Sequence, residues 1–150
     1  MKDIEKLKQQ VSGLLASQKL AVLATRTLQE PYTSLVAFAE TPDLTTILFA
    51  TTRTTRKYAN LSANSRVALL IDNRSNEAAD FRDATAVSAT GTSREVAGHE
   101  RKRLFGIYLA KHPYLQDFVT APTCALMAIQ VEKYSVVQHF QHVVEFTIEP

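Results

Sequence analysis

An apolar segment meets a polar, basic one at Phe49-Ala50-Thr51-Thr52-Arg53-Thr54-Thr55-Arg56-Lys57. This junction is the most informative part of the sequence for both fold and function. Residues 45–52 favour a β-strand, and the residues after them favour a short helix capped by Thr54 or Thr55. A helix N-terminus carries unpaired N–H groups and partial positive charge, and here threonine hydroxyls and three cations surround it. The junction therefore predicts a phosphate site. A capped helix with solvated basic residues is the alternative.

The residues before this junction predict a helix followed by a β-hairpin. Apolar residues recur at three- and four-residue steps over residues 3–18, which is typical of an amphipathic helix that docks by one face. Residues 20–25 and 32–39 are β-favouring runs separated by a polar segment with Pro31. Three strands thus precede the short helix.

The residues after the junction continue the β pattern. They predict a strand at 66–72, an exposed loop at 73–83, a strand of small residues at 84–93, a helix at 95–110 and strands at 124–140 and 142–148. Six to eight strands with short connections and three or four short helices favour a mainly β fold, an antiparallel sheet closed into a barrel. We expect a single domain over residues 1–150.

The composition limits which binding partners and which cellular location we expect for the protein. The chain has 150 residues, 45% of them hydrophobic, and a formal charge of +2, which is too small for the strong positive field of a typical nucleic-acid binder. Its single cysteine, Cys124, cannot close an internal disulfide, and no cysteine and histidine cluster suits zinc. We predict a cytoplasmic protein that binds neither nucleic acid nor membrane, with no metal site.

The segments LAVLATR, PYTSLVAFA and LFATTRTTRKYANLSANSRVALLID occur in the order and spacing of a known family. From about Lys19 to the C-terminus, the chain resembles the flavin-binding split β-barrels related to pyridoxamine 5'-phosphate oxidase. The resemblance is most specific between Tyr32 and Asp72. It implies an antiparallel split β-barrel that binds FMN.

The resemblance also implies which residues contact the flavin. Arg56 and Lys57 match the positions that hold the FMN phosphate, with Thr55 as the hydroxyl beside them. Thr51 and Ala50 match positions along the ribityl chain and the ring. The strand whose backbone borders the isoalloxazine corresponds to Ser34, Leu35, Val36 and Ala37.

Related split barrels are homodimers with flavin at the interface, so the resemblance implies a homodimer here. It implies a flavoprotein oxidoreductase in which FMN accepts electrons from a reduced nicotinamide or a protein donor, with no catalytic side chain required. The alternative is a non-enzymatic protein that stores or senses flavin or haem in the same pocket. For haem, His139 or His142 is the candidate axial ligand, although on one regular strand the two would face opposite sides.

Three departures from the oxidase pattern predict a different substrate from pyridoxamine phosphate. Ala39 stands where the oxidases have a substrate-binding lysine, and Thr85 or Ala86 stands where they have a flavin-contacting glutamine. Their C-terminal arginine motif is not found in this sequence. We assign no role to His99 and expect Cys124 to be a packed small residue.

Overall fold

The computed structural model describes residues 2–139 and 142–149. Within these residues, seven antiparallel strands form one sheet in the order β3-β2-β1-β4-β5-β6-β7. A further pairing of β3 with β6 closes the first six into a barrel, as predicted. The strands are β1 (Leu20–Arg26), β2 (Pro31–Glu40), β3 (Thr46–Thr52), β4 (Arg66–Asp72), β5 (Ala86–Glu95), β6 (Cys124–Gln138) and β7 (His142–Thr147).

Five α-helices connect or cover these strands in the described residues. They are α1 (Lys2–Ser17), α2 (Arg56–Ala63), α3 (Asp80–Asp83), α4 (Arg101–Lys111) and α5 (Gln116–Thr120), with short 3-10 turns at Gly98–Glu100 and Pro113–Leu115. None of them is long and apolar enough to cross a membrane.

The barrel is split on one side, because β2 pairs with its two neighbours over different lengths. Residues 31–37 of β2 pair with β1, whereas the described pairing with β3 covers residues 38–40. The first seven residues of β2 therefore have one edge without a strand partner among residues 2–139 and 142–149. Backbone groups along such an edge are available to another molecule.

The core lies on both faces of β3, since alternate residues of a strand point to opposite sides. Ile47 and Phe49 belong to the main core inside the barrel, to which α1 contributes Val11, Leu14 and Leu15. Leu48 and Ala50 belong to a second cluster outside the barrel, which α4 and α5 cover with Leu104, Tyr108 and Val119. Every residue of β3 up to Thr51 is buried in consequence.

Polar contacts attach α4 to β2 and α1. The Lys111 ammonium donates to the Leu15 carbonyl and to Glu40 Oε1, both at 2.7 Å, and lies 3.9 Å from the centre of the Phe38 ring. His112 Nε2 lies 2.6 Å from the Phe38 carbonyl oxygen. These contacts hold the end of α4 against the strand that borders the split.

The small residues of β5 allow close packing rather than open space. A β-bulge shifts the pairing of β5 with β6 between Thr90 and Gly91. A Cβ atom added at Gly91 would lie 2.0 Å from the Gln130 carbonyl oxygen of β6, so only glycine fits this approach.

Several predicted boundaries are wrong by a few residues. Residues 84 and 85 precede β5, which continues to Glu95, and the helix expected from residue 95 begins at Arg101. The loop expected at 73–83 contains the single helical turn α3, whose first residue, Asp80, also accepts hydrogen bonds from the backbone N–H groups of Ser75 and Asn76. The last long strand ends at Gln138, and Phe140 lies outside the described residues.

Candidate functional site

The junction between β3 and α2 is built around the side chain of Thr55. Thr55 is the N-cap of α2, and its Oγ1 accepts a hydrogen bond from the Tyr58 N–H at 3.2 Å. The same hydroxyl donates to the Thr52 carbonyl at 2.9 Å and lies 2.9 Å from Thr51 Oγ1. Of the two predicted caps, Thr55 is the one used. Its hydroxyl is thereby committed to the fold of the junction.

Arg53 is not a free cation, although the sequence places it in a cluster of three. Its guanidinium donates to the carbonyls of Pro122 at 2.8 Å and Cys124 at 3.0 Å. It also forms an ion pair with Glu95 at 2.6 Å. The positive charge of Arg53 is therefore balanced within the chain, and both Nη1 and Nη2 donate hydrogen bonds to it.

The side chains of Thr54, Arg56 and Lys57 make no hydrogen bond or ion pair to any part of the chain that the structure describes. The Arg56 guanidinium lies 5.6 Å from the centre of the Tyr32 ring. Lys57 is half-buried, and this burial lowers the pKa of its ammonium below the usual value, partly offset by the nearby Cys124. Two uncompensated cations in the first turn of α2 form an anion-attracting site.

The predicted residues of β2 divide between two faces of the strand. Ser34 and Val36 share the face of Phe38, which is buried inside the barrel, and Leu35 and Ala37 lie on the opposite face. The Ser34 hydroxyl is buried and has no hydrogen-bond partner among the described residues. The Ala37 carbonyl accepts a hydrogen bond from the Tyr108 hydroxyl at 3.1 Å.

An apolar face lies on the outside of the sheet beside this strand. Val22 of β1 pairs with Leu35 on one side and with Leu70 on the other, which places three apolar side chains in one row. Leu35 is 64% exposed, Leu70 37% and the nearby Leu20 53%. We call Leu20, Val22, Leu35 and Leu70 the outer apolar face. Contiguous exposed apolar surface of this kind marks a binding or association surface.

Thr51 and Ala50 are buried at the end of β3, unlike the cations that follow them. Ala50 packs in the second cluster under α4, as does Ala39. Cys124 is buried in the same cluster, and this burial raises the pKa of its thiol against the opposing effect of Arg53 and Lys57. The thiol is thus a packed group, as expected.

The two candidate haem ligands lie in different elements of the described chain, His139 in a turn after β6 and His142 in β7. His139 is exposed with a φ of 46°, and His142 begins β7, paired with Gln138. The two histidines therefore do not continue one regular strand, and the alternation of side-chain faces along a strand does not apply to them. Within the described residues, no group of three or more histidine, cysteine, aspartate or glutamate side chains could hold a metal ion.

The closed six-stranded sheet and the unpaired edge of β2 place the chain in the class of split β-barrel proteins. Residues 7–138 match the family of pyridoxamine 5'-phosphate oxidase, and the chain belongs to this family. No curated protein is similar enough in sequence to serve as a relative.

Three solved structures illustrate how widely this fold is used. A heme binding protein from Mycobacterium smegmatis has a TM-score of 0.81 and 17% identity, and the alignment covers 91% of this chain but 55% of that one. An FAD-binding protein from Mesorhizobium loti has a TM-score of 0.68 and 14% identity over 85% of this chain and 91% of that chain. A putative pyridoxamine 5'-phosphate oxidase from Listeria innocua has a TM-score of 0.68 and 13% identity over 87% and 98%. These likenesses concern the fold, and this chain spans about half the length of the heme binding protein.

Sequence reasoning missed the contacts that arrange the cations. Glu95 is 42 residues from Arg53, and Tyr32 is distant from Arg56 in sequence. No periodicity or motif pairs residues across such separations. The orphaned Ser34 hydroxyl also carried no signal, because its burial depends on how β2 joins the barrel.

Proposed function

We propose that the chain binds FMN, with the phosphate held in the first turn of α2. The observation that carries this proposal is the contrast between Arg53, whose charge is balanced by Glu95, and Arg56 and Lys57, whose charges are not. Folding leaves two cations uncompensated at a helix N-terminus, where a phosphate dianion gains both charge and backbone N–H donors. The Thr54 hydroxyl, exposed and without a hydrogen bond to the described residues, is a further donor for the same anion.

The neighbouring strand suits the remainder of a flavin. The unpaired edge of β2 offers backbone groups, and Ser34 Oγ is a buried polar atom that lacks a partner within the described chain. A flat ring with polar edges beside β2 would supply hydrogen-bond partners that the fold does not provide. These features support contacts from Ser34, Leu35, Val36 and Ala37, with Ala50 and Thr51 shaping the junction behind them.

The proposed protein is a homodimer, with the outer apolar face as the surface that meets a second copy. A monomer would leave Leu35 and its row exposed to water, whereas a second copy would bury them. The face is continuous with the strand proposed to border the flavin, because Leu35 belongs to both. Each cofactor site would then be completed by the partner subunit.

The proposed activity is that of an oxidoreductase. Bound FMN would supply the redox chemistry, with a reduced nicotinamide or a protein as the electron donor. The chain binds the phosphate, orients the ring along β2 and excludes water from it. We do not propose pyridoxamine phosphate as the substrate, because Ala39 is buried under α4 and has neither a charge nor access to a second phosphate.

A visible absorption spectrum of the purified protein, before and after dialysis against FMN, tests the proposal. Bound FMN, identified after denaturing release, would support it. Replacement of Arg56 and Lys57 by alanine is then expected to weaken binding by several kcal/mol, since charge-assisted hydrogen bonds contribute roughly 1.5–3 kcal/mol each. The matched control replaces Arg101 and Lys102, two exposed cations in the first turn of α4, and should leave binding unchanged.

Two other outcomes would contradict FMN binding. A haem absorption band that is lost when His139 or His142 is replaced would assign the pocket to haem, in a protein with a storage or sensing role. A colourless protein that takes up neither cofactor would leave the fold without this function.

Flavin affinity that does not change in the Arg56 and Lys57 variant would overturn the assignment of the phosphate to the first turn of α2.

A further inference from the structure

The contacts of Arg53 and Glu95 form a brace around the segment that carries the two free cations. One oxygen of the Glu95 carboxylate accepts from Arg53 Nη2 at 2.6 Å, and the other accepts from the Tyr58 hydroxyl at 3.0 Å. Arg53 lies before α2 and Tyr58 lies in its first turn. Glu95, at the end of β5, thus bridges the two ends of the segment 53–58 that contains Arg56 and Lys57.

Arg53 also attaches this segment to the chain before β6. Its N–H donates to the Thr123 carbonyl at 2.9 Å, and its guanidinium donates to the carbonyls of Pro122 and Cys124. The segment is therefore held from β5 by Glu95 and from the start of β6 through Arg53. Its position relative to the barrel follows from both attachments.

We propose that Glu95 is a positioning residue for phosphate binding, acting through Arg53 and Tyr58 rather than by contact with the ligand. This inference rests on the proposed FMN function and concerns the same site. A carboxylate beside a phosphate site is electrostatically unfavourable for the anion. Its presence here is explained if it holds the 53–58 segment with Arg56 and Lys57 directed at one phosphate.

The direction in which Glu95→Gln changes FMN affinity distinguishes a direct charge effect on the ligand from a positioning effect on the segment 53–58. If Glu95 acted on the ligand through its charge alone, Glu95→Gln would remove a repulsion and tighten FMN binding. If Glu95 positions the segment, the same change loosens the ion pair with Arg53 and weakens FMN binding. Riboflavin, which lacks the phosphate, should bind equally well to both proteins.

The experiment measures the dissociation constants of FMN and riboflavin by flavin fluorescence for the full chain and three variants. Glu95→Gln is expected to weaken FMN binding roughly two- to fivefold, within the range of partly exposed ion pairs, with riboflavin binding unchanged. Tyr58→Phe removes one hydroxyl of the brace and should act in the same direction with a smaller effect. Glu100→Gln is the matched control, since Glu100 pairs with Arg94 and does not contact the segment 53–58.

A second measurement follows the segment without ligand. Hydrogen exchange of the backbone N–H groups of residues 54–58 is expected to be faster in Glu95→Gln than in the Glu100→Gln control. If Glu95→Gln does not fold, Tyr58→Phe is used for both the flavin affinities and the hydrogen exchange, because the loss of one partly exposed hydroxyl is a small perturbation.

The outcomes distinguish this inference from the function on which it rests. FMN binding by Glu95→Gln that is unchanged or tighter, or an equal loss of FMN and riboflavin, would overturn the positioning role and leave FMN binding intact. A wild-type protein that binds FMN no more tightly than riboflavin would overturn the phosphate assignment, and the positioning role with it.

Discussion

Thr51 Oγ1 and Thr55 Oγ1 lie 2.9 Å apart, so the last buried residue of β3 contacts the N-cap of α2 directly. This contact connects the barrel wall to the helix that presents the free cations. Thr55→Ala removes the cap and this contact, and we expect it to lower the free energy of unfolding by about 1 kcal/mol, with weaker FMN binding. Urea unfolding followed by circular dichroism measures the change.

Two neighbouring substitutions control this prediction. Thr55→Ser keeps the hydroxyl and should retain most of the stability. Thr54→Ala alters an exposed threonine that makes no hydrogen bond to the described chain and should leave the unfolding free energy nearly unchanged. Equal losses in Thr54→Ala and Thr55→Ala would show that Thr55 is not the cap.

The half-burial of Lys57 predicts a pH dependence of phosphate binding. Burial lowers the pKa of Lys57 from 10.5, so the ammonium loses its proton at a lower pH than an exposed lysine does. The FMN phosphate is a dianion throughout the alkaline range. The ratio of FMN affinity to riboflavin affinity should therefore fall as pH rises through the lowered Lys57 pKa, because the two flavins share the same ring and only FMN has the phosphate.

Lys57→Arg tests whether the titrating group is Lys57. Arginine keeps its charge throughout this range. The alkaline loss of FMN affinity should be absent or shifted to higher pH in this variant. The same profile in wild type and Lys57→Arg would assign the loss to another group.

The outer apolar face predicts the effect of a charge on association. Leu35→Glu places a carboxylate in the row formed with Val22 and Leu70, and we expect it to convert the proposed homodimer to a monomer. Sedimentation velocity measures the change. Leu28→Glu is the control, because Leu28 is 104% exposed in the turn between β1 and β2. A wild-type monomer, or dissociation of both variants, would contradict this assignment of the interface.

The close approach of β5 and β6 predicts a strong effect of a single methyl group. Gly91→Ala would place its Cβ 2.0 Å from the Gln130 carbonyl oxygen, so we expect at least about 2 kcal/mol of destabilisation. Gly106→Ala adds the same atom in α4, where nothing lies within 4 Å, and should stabilise the protein by up to about 1 kcal/mol. Thermal unfolding of the two variants compares them. Equal melting temperatures would show that the bulge tolerates a side chain.

Local sequence patterns were insufficient to predict where some helices and strands begin and end. The helix expected at residue 95 begins at Arg101, because the sheet continues through Glu95, whose pairing with Met127 depends on a distant strand. The loop before β5 contains the single helical turn α3, and the Asp80 carboxylate attaches it to the turn at Ser75 and Asn76. Periodicity reports how a segment matches a helix or strand, and it contains no information about which remote partner extends or ends that segment.

The sequence by itself determined the mainly β barrel, the amphipathic first helix, the capped helix after β3 and the family to which the chain belongs. Each of these depends on local periodicity, capping chemistry or a contiguous motif. Only the tertiary structure decided which cations of the motif remain free, that Glu95 balances Arg53, and that Leu35 lies exposed beside an unpaired strand edge. Charge balance and exposure depend on residues that folding brings together from distant positions, which is why no local pattern contains them.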